Sequence, residues 1–252
     1  MARLAWYSSG NFNLKFLDLG LINYTLSYTS GPNLFTVKLK STRDEFRGNG
    51  FTYDANGKLA GGIVTSYLGI ENGKKLVSIT GLNLAGSKVA KVADTISVKD
   101  DYSLFKSILS GNDEIIGGRG NDKLEGFGGN DKITGGRGAD LLYGGSGADT
   151  FVFKSIHDSK VSPSESDFIM DFSTRQKDKI DLSAIDANLN KSGNQAFSFI
   201  GTKDFTNKAG QVRYEKLATF TVVEGDVNGD GHADFSIVLQ GAHTLSKGYF
   251  IL

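Results

Sequence analysis

Between Ile108 and Val152 the chain writes one nine-residue unit five times, and few backbones accept so short a repeat. In the frame G-G-x-G-x-D-x-U-x, with U a large apolar residue, three copies match at every specified place: Gly117 to Glu125, Gly135 to Tyr143 and Gly144 to Val152. Ile108 to Ile116 lacks the first two glycines, and Gly126 to Thr134 carries Phe127 at the second place with glycine at Gly128. The aspartate is never lost: Asp113, Asp122, Asp131, Asp140 and Asp149. The apolar place is Ile115, Leu124, Ile133, Leu142 and Phe151. A flexible linker shows no such register, and no phosphate-cradling G-x-x-x-x-G-K-[ST] or G-x-G-x-x-G is present.

One unit is too short to bury anything, so a tight turn plus a short strand makes half of a flattened coil, and two units close an 18-residue turn. Units two apart then stack. This places Asp113, Asp131 and Asp149 in one row and Asp122 and Asp140 in the other, at a strand spacing of roughly 4.8 Å. Two carboxylates that close repel by about 1 kcal/mol in water and about 3 kcal/mol at an effective dielectric of 20. A hard divalent cation answers this, and calcium, with six to eight oxygen ligands in flexible geometry, suits a turn of carboxylates and carbonyls better than magnesium. Glycine allows positive φ and close approach of the carbonyls. The candidate ligand set, by carboxylate or turn backbone, is Ser110, Gly111, Asp113, Gly117, Arg119, Gly120, Asp122, Gly126, Gly128, Gly129, Asp131, Gly135, Arg137, Gly138, Asp140, Gly144, Ser146, Gly147 and Asp149. The nonapeptide resembles the calcium-binding repeat of RTX proteins. A ladder of single apolar side chains is a meagre core, so the binding of several ions is expected to be coupled to folding.

With 28 basic and 28 acidic residues the chain has no basic footprint for nucleic acid. It has no apolar run of membrane-spanning length. Met1 to Gly10 does not read as a cleaved secretory signal. The absence of cysteine fits both a reducing compartment and export of an unfolded chain that matures without thiol chemistry.

The first module, residues 1–105, reads as β. Phe12 to Leu19, Ile22 to Tyr28 and Leu34 to Leu39 alternate loosely, interrupted by Gly20 and Gly31-Pro32. Ile63 to Ile70 and Lys75 to Leu82 flank Asn72-Gly73, a type I′ hairpin signal, and Asn56-Gly57 marks another turn. Trp6, Tyr7, Phe12, Phe16, Tyr24, Tyr28 and Phe35 are read as core, with a ligand surface as the alternative. A short helix capped by Asp100 or Asp101 carries Leu104, Phe105, Ile108 and Leu109 on one face and ends at Gly111. It is placed to cover the apolar end of the repeats.

Beyond Val152, Asp158 lies 18 residues past Asp140 and is expected to extend the second row. Then follow Asp167-Phe168-Ile169-Met170-Asp171-Phe172, Asp178-Lys179-Ile180-Asp181-Leu182-Ser183, Phe197-Ser198-Phe199-Ile200-Gly201, Gln211-Val212-Arg213-Tyr214 and Gly225-Asp226-Val227-Asn228-Gly229-Asp230-Gly231. With these ordered motifs, residues 108–252 resemble the C-terminal domain of the serralysin family of secreted metalloproteases. The resemblance implies an all-β architecture: a right-handed parallel calcium β-roll over residues 106–160, and a C-terminal β-sandwich over 161–252 behind the β-rich N-terminal module. It also implies a secreted, extracellular bacterial protein exported by a type I secretion apparatus through an uncleaved C-terminal signal. That signal often has an acidic residue before an apolar tail; here the end is Gly248-Tyr249-Phe250-Ile251-Leu252, with the apolar tail alone.

Asp167 joins the candidate ligands, and Asp226, Asn228, Asp230 and Asp234 have the spacing of EF-hand positions 1, 3, 5 and 9, with Gly231 at position 6. Position 12 is Ile237, so this is either a weak further calcium site or a self-bonded Asx turn. Serralysins need H-E-x-x-H-x-x-G-x-x-H for zinc. This chain has only His157, His232 and His243, none in that motif. No G-x-S-x-G elbow and no cysteine nucleophile exist. A non-catalytic calcium-binding protein is therefore expected. The alternatives are polysaccharide or cell-surface binding through residues 1–105, in line with the similar repeats that accompany alginate epimerases, and a hydrolase or lyase in that module.

Overall fold

The computed structural model describes residues 1–13, 27–39, 42–93 and 98–252. The chain divides into two compact units, Met1–Ser8 with Asn13–Glu114, and Ser9–Phe12 with Ile115–Leu252. Where three modules are expected, divided after residues 105 and 160, the first division falls at Glu114 and Ile115. None falls near 160, because later strands carry on the ladders of the repeats.

The first unit is an antiparallel sheet of β1 (Arg3–Trp6), β2 (Ser27–Ser30), β3 (Leu34–Leu39), β4 (Thr42–Tyr53), β5 (Leu59–Glu71) and β6 (Lys74–Ala85), in the order β1-β6-β5-β4-β3-β2. Turn chemistry sets its register. Asn72 and Gly73 both take positive φ, 50° and 76°, and leave Glu71 opposite Lys74, the two-residue hairpin that the dipeptide predicts. Asp54 accepts from Gly57 at the Asn56-Gly57 turn between β4 and β5. β3 has the predicted bounds; the other two expected early strands lie largely outside the described residues, as do Phe16 and Tyr24. β4 is not evident in the sequence, since Arg43, Asp44, Glu45 and Arg47 hide its alternation and bulges shift its register near Gly48.

Helices α1 (Gly86–Ala93) and α2 (Val98–Ile108) cover this sheet. Val89, Leu104 and Phe105 join Phe46, Tyr67 and Ile79 around one apolar interior. The helix expected to cover the repeats thus spends its apolar face on the sheet of its own unit. Phe35 is buried, Trp6 is half-buried, and Tyr7 is exposed with its hydroxyl beside Ser78 Oγ.

The second unit begins with one short strand per repeat: β7 (Glu114–Ile116), β8 (Lys123–Glu125), β9 (Lys132–Thr134), β10 (Leu141–Tyr143) and β11 (Thr150–Val152). β8 pairs in parallel with β10, Leu124 beside Leu142, and β9 with β11, Ile133 beside Phe151. Both offsets are 18 residues, so two units make one coil. β12 (Asp167–Ile169) and β13 (Lys179–Asp181) add the next coil, Ile169 beside Leu142 and Ile180 beside Phe151. Seven apolar side chains, Ile115, Leu124, Ile133, Leu142, Phe151, Ile169 and Ile180, form the inner ladder, none more than 1% exposed.

The C-terminal strands extend the same two sheets. β14 (Ser198–Phe199), β15 (Gln211–Lys216), β16 (Phe220–Asp226) and β17 (Phe235–Gln240) join through β17 onto β12, and β18 (Phe250–Ile251) joins β13. Phe199 and Phe250, one from each sheet, meet with ring centroids 5.2 Å apart, so the sheets face each other as a sandwich continuous with the roll. The apolar tail of the chain is therefore a strand, with Phe250 buried.

Candidate metal centre

Each aspartate of the repeats holds the coil before its own. Asp140 Oδ1 accepts the backbone N–H of Asp122 at 2.7 Å, and Asp167 Oδ1 that of Asp140 at 2.9 Å. In the other row Asp149 Oδ1 accepts from Asp131 at 2.9 Å and Asp178 Oδ1 from Asp149 at 3.0 Å. The hydrogen-bonded rows thus run Asp131, Asp149, Asp178 and Asp122, Asp140, Asp167. Asp122 and Asp178 spend both oxygens on the fold, Oδ2 accepting from Gly118 and Ser173 N–H, whereas Asp140, Asp149 and Asp167 spend only Oδ1.

Among the described residues, the buried Oδ2 atoms of Asp140, Asp149 and Asp167 accept no hydrogen bond. A buried acceptor left unsatisfied costs about 1–3 kcal/mol, more when charged. Burial, with neighbouring carboxylates adding to it, pushes the Asp140 carboxyl up to about 7, Asp149 to about 6 and Asp167 well above the usual carboxylate range. Burial also raises Asp113, Asp122, Asp171 and Asp178, against the pull of backbone N–H groups.

The corner glycines border the same oxygens. A Cβ on Gly135 would collide with Asp140 Oδ2 and lie 3.1 Å from Asp167 Oδ2. On Gly126 it would meet Asp131 Oδ2 and, at 2.6 Å, the Gly144 carbonyl; on Gly117 it would meet Asp122 Oδ2 at 2.7 Å and the Gly135 carbonyl. The missing side chains leave gaps lined by carboxylate and carbonyl oxygen, a donor set that fits a hard divalent cation. No three His, Asp or Glu side chains among the described residues cluster as a metal site. Main-chain carbonyls would have to supply most ligands, with one or two carboxylates each.

The other candidates sort differently. Asp158 does not continue the second row; Asp167 does, and Asp158 Oδ2 closes its own turn by accepting from Lys154 and Ser155. Coils lengthen after Val152, so the fixed 18-residue step misses the next aspartate. Arg119 and Arg137 expose their side chains, which leaves only their backbone to a turn site, and Ser110 Oγ bonds Ser107 O. Gly129, Gly138 and Gly147 share one turn place with φ of 115°, 133° and 131°, and Phe127 takes a φ of 64° where Gly136 and Gly145 take 94° and 92°. Ser146 accepts Gly129 N–H through its carbonyl, and Gly128 pairs with Ser146 across the coils.

The loop 226–234 is a self-bonded turn between β16 and β17. Asp226 accepts from Gly229 and Gly231, Asp234 Oδ2 from Val227, Asn228 Oδ1 from Asp230, and Asp230 Oδ1 from His232. Position 12, Ile237, is a fully buried strand residue.

Two features escaped the sequence reading. The fifth repeat place is a second ladder, in which Asn121 Oδ1 accepts from Ala139 and Asn130 Oδ1 from Ala148, each 18 residues on. The second is a partial coil made by the start of the chain. Asn11 Oδ1 accepts from Asn121, Phe12 N–H donates to Asp122 Oδ1, and Phe12 O accepts from Lys123. Gly10-Asn11-Phe12 thus stands beneath Gly120-Asn121-Asp122 as one more repeat turn, with phenylalanine in the aspartate place. A Cβ on Gly120 would lie 2.7 Å from the Gly10 carbonyl carbon. Ala2 plays the corresponding part in its own unit, donating to Asp113 Oδ1 and accepting from Glu114. G-N recurs at 10–11 and 120–121, too short a signal to be found alone.

Stacked glycine–aspartate nonapeptides with inward apolar ladders and two carboxylate rows define a parallel β-roll of the RTX type. The chain belongs to the family described as Peptidase M10 serralysin C terminal, whose model matches residues 82–252. Two solved structures of subunits of the Azotobacter vinelandii mannuronan C5-epimerase are similar in part. AlgE6R3 is 33% identical over 56% of this chain and 73% of its own, with a TM-score of 0.40. AlgE6R2 is 30% identical over 56% and 88%, with a TM-score of 0.41. No curated protein matches the chain.

Proposed function

We propose that this chain is a secreted, non-catalytic calcium-binding protein whose roll folds with its ions after type I export. The reading rests on the buried Oδ2 atoms of Asp140, Asp149 and Asp167, which the protein itself leaves unsatisfied at the edge of oxygen-lined glycine gaps. Asp113, Asp122, Asp131 and Asp178, together with the turn carbonyls of the corner glycines, complete the set that would hold the ions. Bound calcium supplies the positive charge that lets adjacent coils close at neutral pH. Where free calcium is scarce the aspartate rows oppose closure, which suits a chain that must leave the cell unfolded.

Among the described aromatic residues of the N-terminal unit, Phe35 is core and Tyr7 is exposed with its hydroxyl beside Ser78 Oγ, and neither carries a proposal of polysaccharide or cell-surface binding. Circular dichroism of the full chain during calcium titration tests the proposal. Calcium should raise β-structure and the melting temperature by several degrees or more, magnesium should do less, and chelator should reverse the change. A roll equally folded in excess chelator overturns it.

A further inference from the structure

An open cavity of about 550 Å³ is lined by Arg119, Arg137, Asn121, His157, Lys160 and Glu165, among others. Arg119 and Arg137 occupy the same repeat place 18 residues apart, and Arg137 N–H donates to Gly118 O, so the two stand on successive coils. Strand spacing puts their Cα atoms roughly 5 Å apart along the roll. Two exposed arginines that close normally diverge or acquire carboxylate partners. Neither guanidinium has a hydrogen bond or ion pair among the described residues, although Arg137 lies within the field of Asp158.

The rest of the lining is also rich in donors. Asn121 spends its Oδ1 on Ala139 N–H, which leaves its amide N–H groups for the cavity. Lys160 pairs with Glu165, the one carboxylate in the lining. Three cationic side chains thus face one carboxylate. A volume of several hundred Å³ is typical of small-molecule sites and exceeds what a single inorganic anion fills. Paired guanidinium forks match the geometry of carboxylate, sulfate or phosphate oxygens.

We propose that this cavity binds an oxyanion-bearing ligand of about disaccharide size, held by the stacked Arg119 and Arg137 forks with Asn121 and Lys160 at its edge. The site is separate from the carboxylate rows and needs only a folded roll, so calcium-dependent melting in the same buffer reports independently on the metal reading.

Isothermal titration calorimetry of the full chain in calcium buffer tests it, with a uronic acid disaccharide and sodium sulfate as probes and a neutral glucose disaccharide as control. One or both anions should bind saturably and the neutral sugar should not. Saturation by the uronate alone assigns a carboxylated sugar, and saturation by sulfate alone assigns a sulfate- or phosphate-type group. R137Q should weaken binding about tenfold, equivalent to about 1.4 kcal/mol. R119Q/R137Q should abolish it with melting unchanged, and K191Q, outside the cavity, should leave it intact. Absence of saturable binding by either anion, or binding undiminished in the double variant, overturns the proposal.

Discussion

The two units solve the same problem, ordering a β-rich chain, by opposite means. In the N-terminal unit hairpin turns fix register and large side chains such as Phe46 and Tyr67 fill one interior under two helices, so apolar burial accompanies β1 and β3 to β6. The roll buries one apolar residue per nine and, beside it, a carboxylate. Each further coil adds charge to a row. The first unit is limited by how well its core fills, the second by what neutralises its aspartates.

The largest test of this contrast truncates one core residue in each unit. Phe46→Ala should destabilise the first unit by about 3–5 kcal/mol, and Ile133→Ala the roll by about 2–5 kcal/mol. Hydrogen exchange read unit by unit should show the Phe46→Ala loss to be the same in calcium and in chelator. Ile133→Ala should raise the calcium concentration needed for half-maximal protection of the roll. A shift of that midpoint by Phe46→Ala would erase the distinction.

A smaller effect is expected from pH. With Asp140 raised to about 7 and Asp149 to about 6, the metal-free folded roll holds more protons between about pH 4 and 7 than the unfolded chain does. Its stability should therefore fall as pH rises through that window. On the calcium-binding proposal the ion takes the place of those protons, so in excess calcium the slope should reverse. Asp44 of the first unit, raised to about 6 by burial despite the downward pull of its hydrogen bond from the Tyr67 hydroxyl, gives the same downward slope between about pH 4 and 6. That slope should ignore calcium. Melting curves across this range, resolved by unit, check both signs, and a roll whose slope keeps its sign in calcium would count against ion binding at these carboxylates.

The smallest test concerns the end of the roll. Asn11→Ala removes the acceptor for Asn121 N–H and should cost about 1 kcal/mol in the second unit alone. Faster hydrogen exchange confined to the coil of Asn121 is the expected signature, and unchanged exchange there would show that the N-terminal turn contributes nothing.

Strands β7 to β11 could be read from the sequence because a nine-residue period fixes turn, strand and facing within a few bonds of each other. The same locality explains Asn72-Gly73. What followed Val152 was harder. The row passes from Asp140 to Asp167 and from Asp149 to Asp178, steps of 27 and 29 residues, as inserted turns lengthen the coil. The surviving signal is D-x-U itself, in Asp167-Phe168-Ile169 and Asp178-Lys179-Ile180, once spacing is released. The self-bonding of the 226–234 loop could not be separated from an EF-hand by spacing, because both need the same short polar side chains. The apolar face of α2 is also evident in the sequence, but that it meets the sheet of its own unit is a long-range choice.

The partial coil at Gly10-Asn11-Phe12 has a consequence for the order of assembly. Asn11 and Asn121 are 110 residues apart, whereas successive coils of the repeats are closed by 18. Closing the longer loop costs roughly 1.5 kcal/mol more in chain entropy. Coils 117–152 can stack on one another before that contact forms, so the roll should grow from its repeats and be completed at its beginning last. Seen from the roll, Asn13–Glu114 is an insertion between the first turn and the second. A chain built this way can exchange the inserted unit for another while the roll keeps both of its ends.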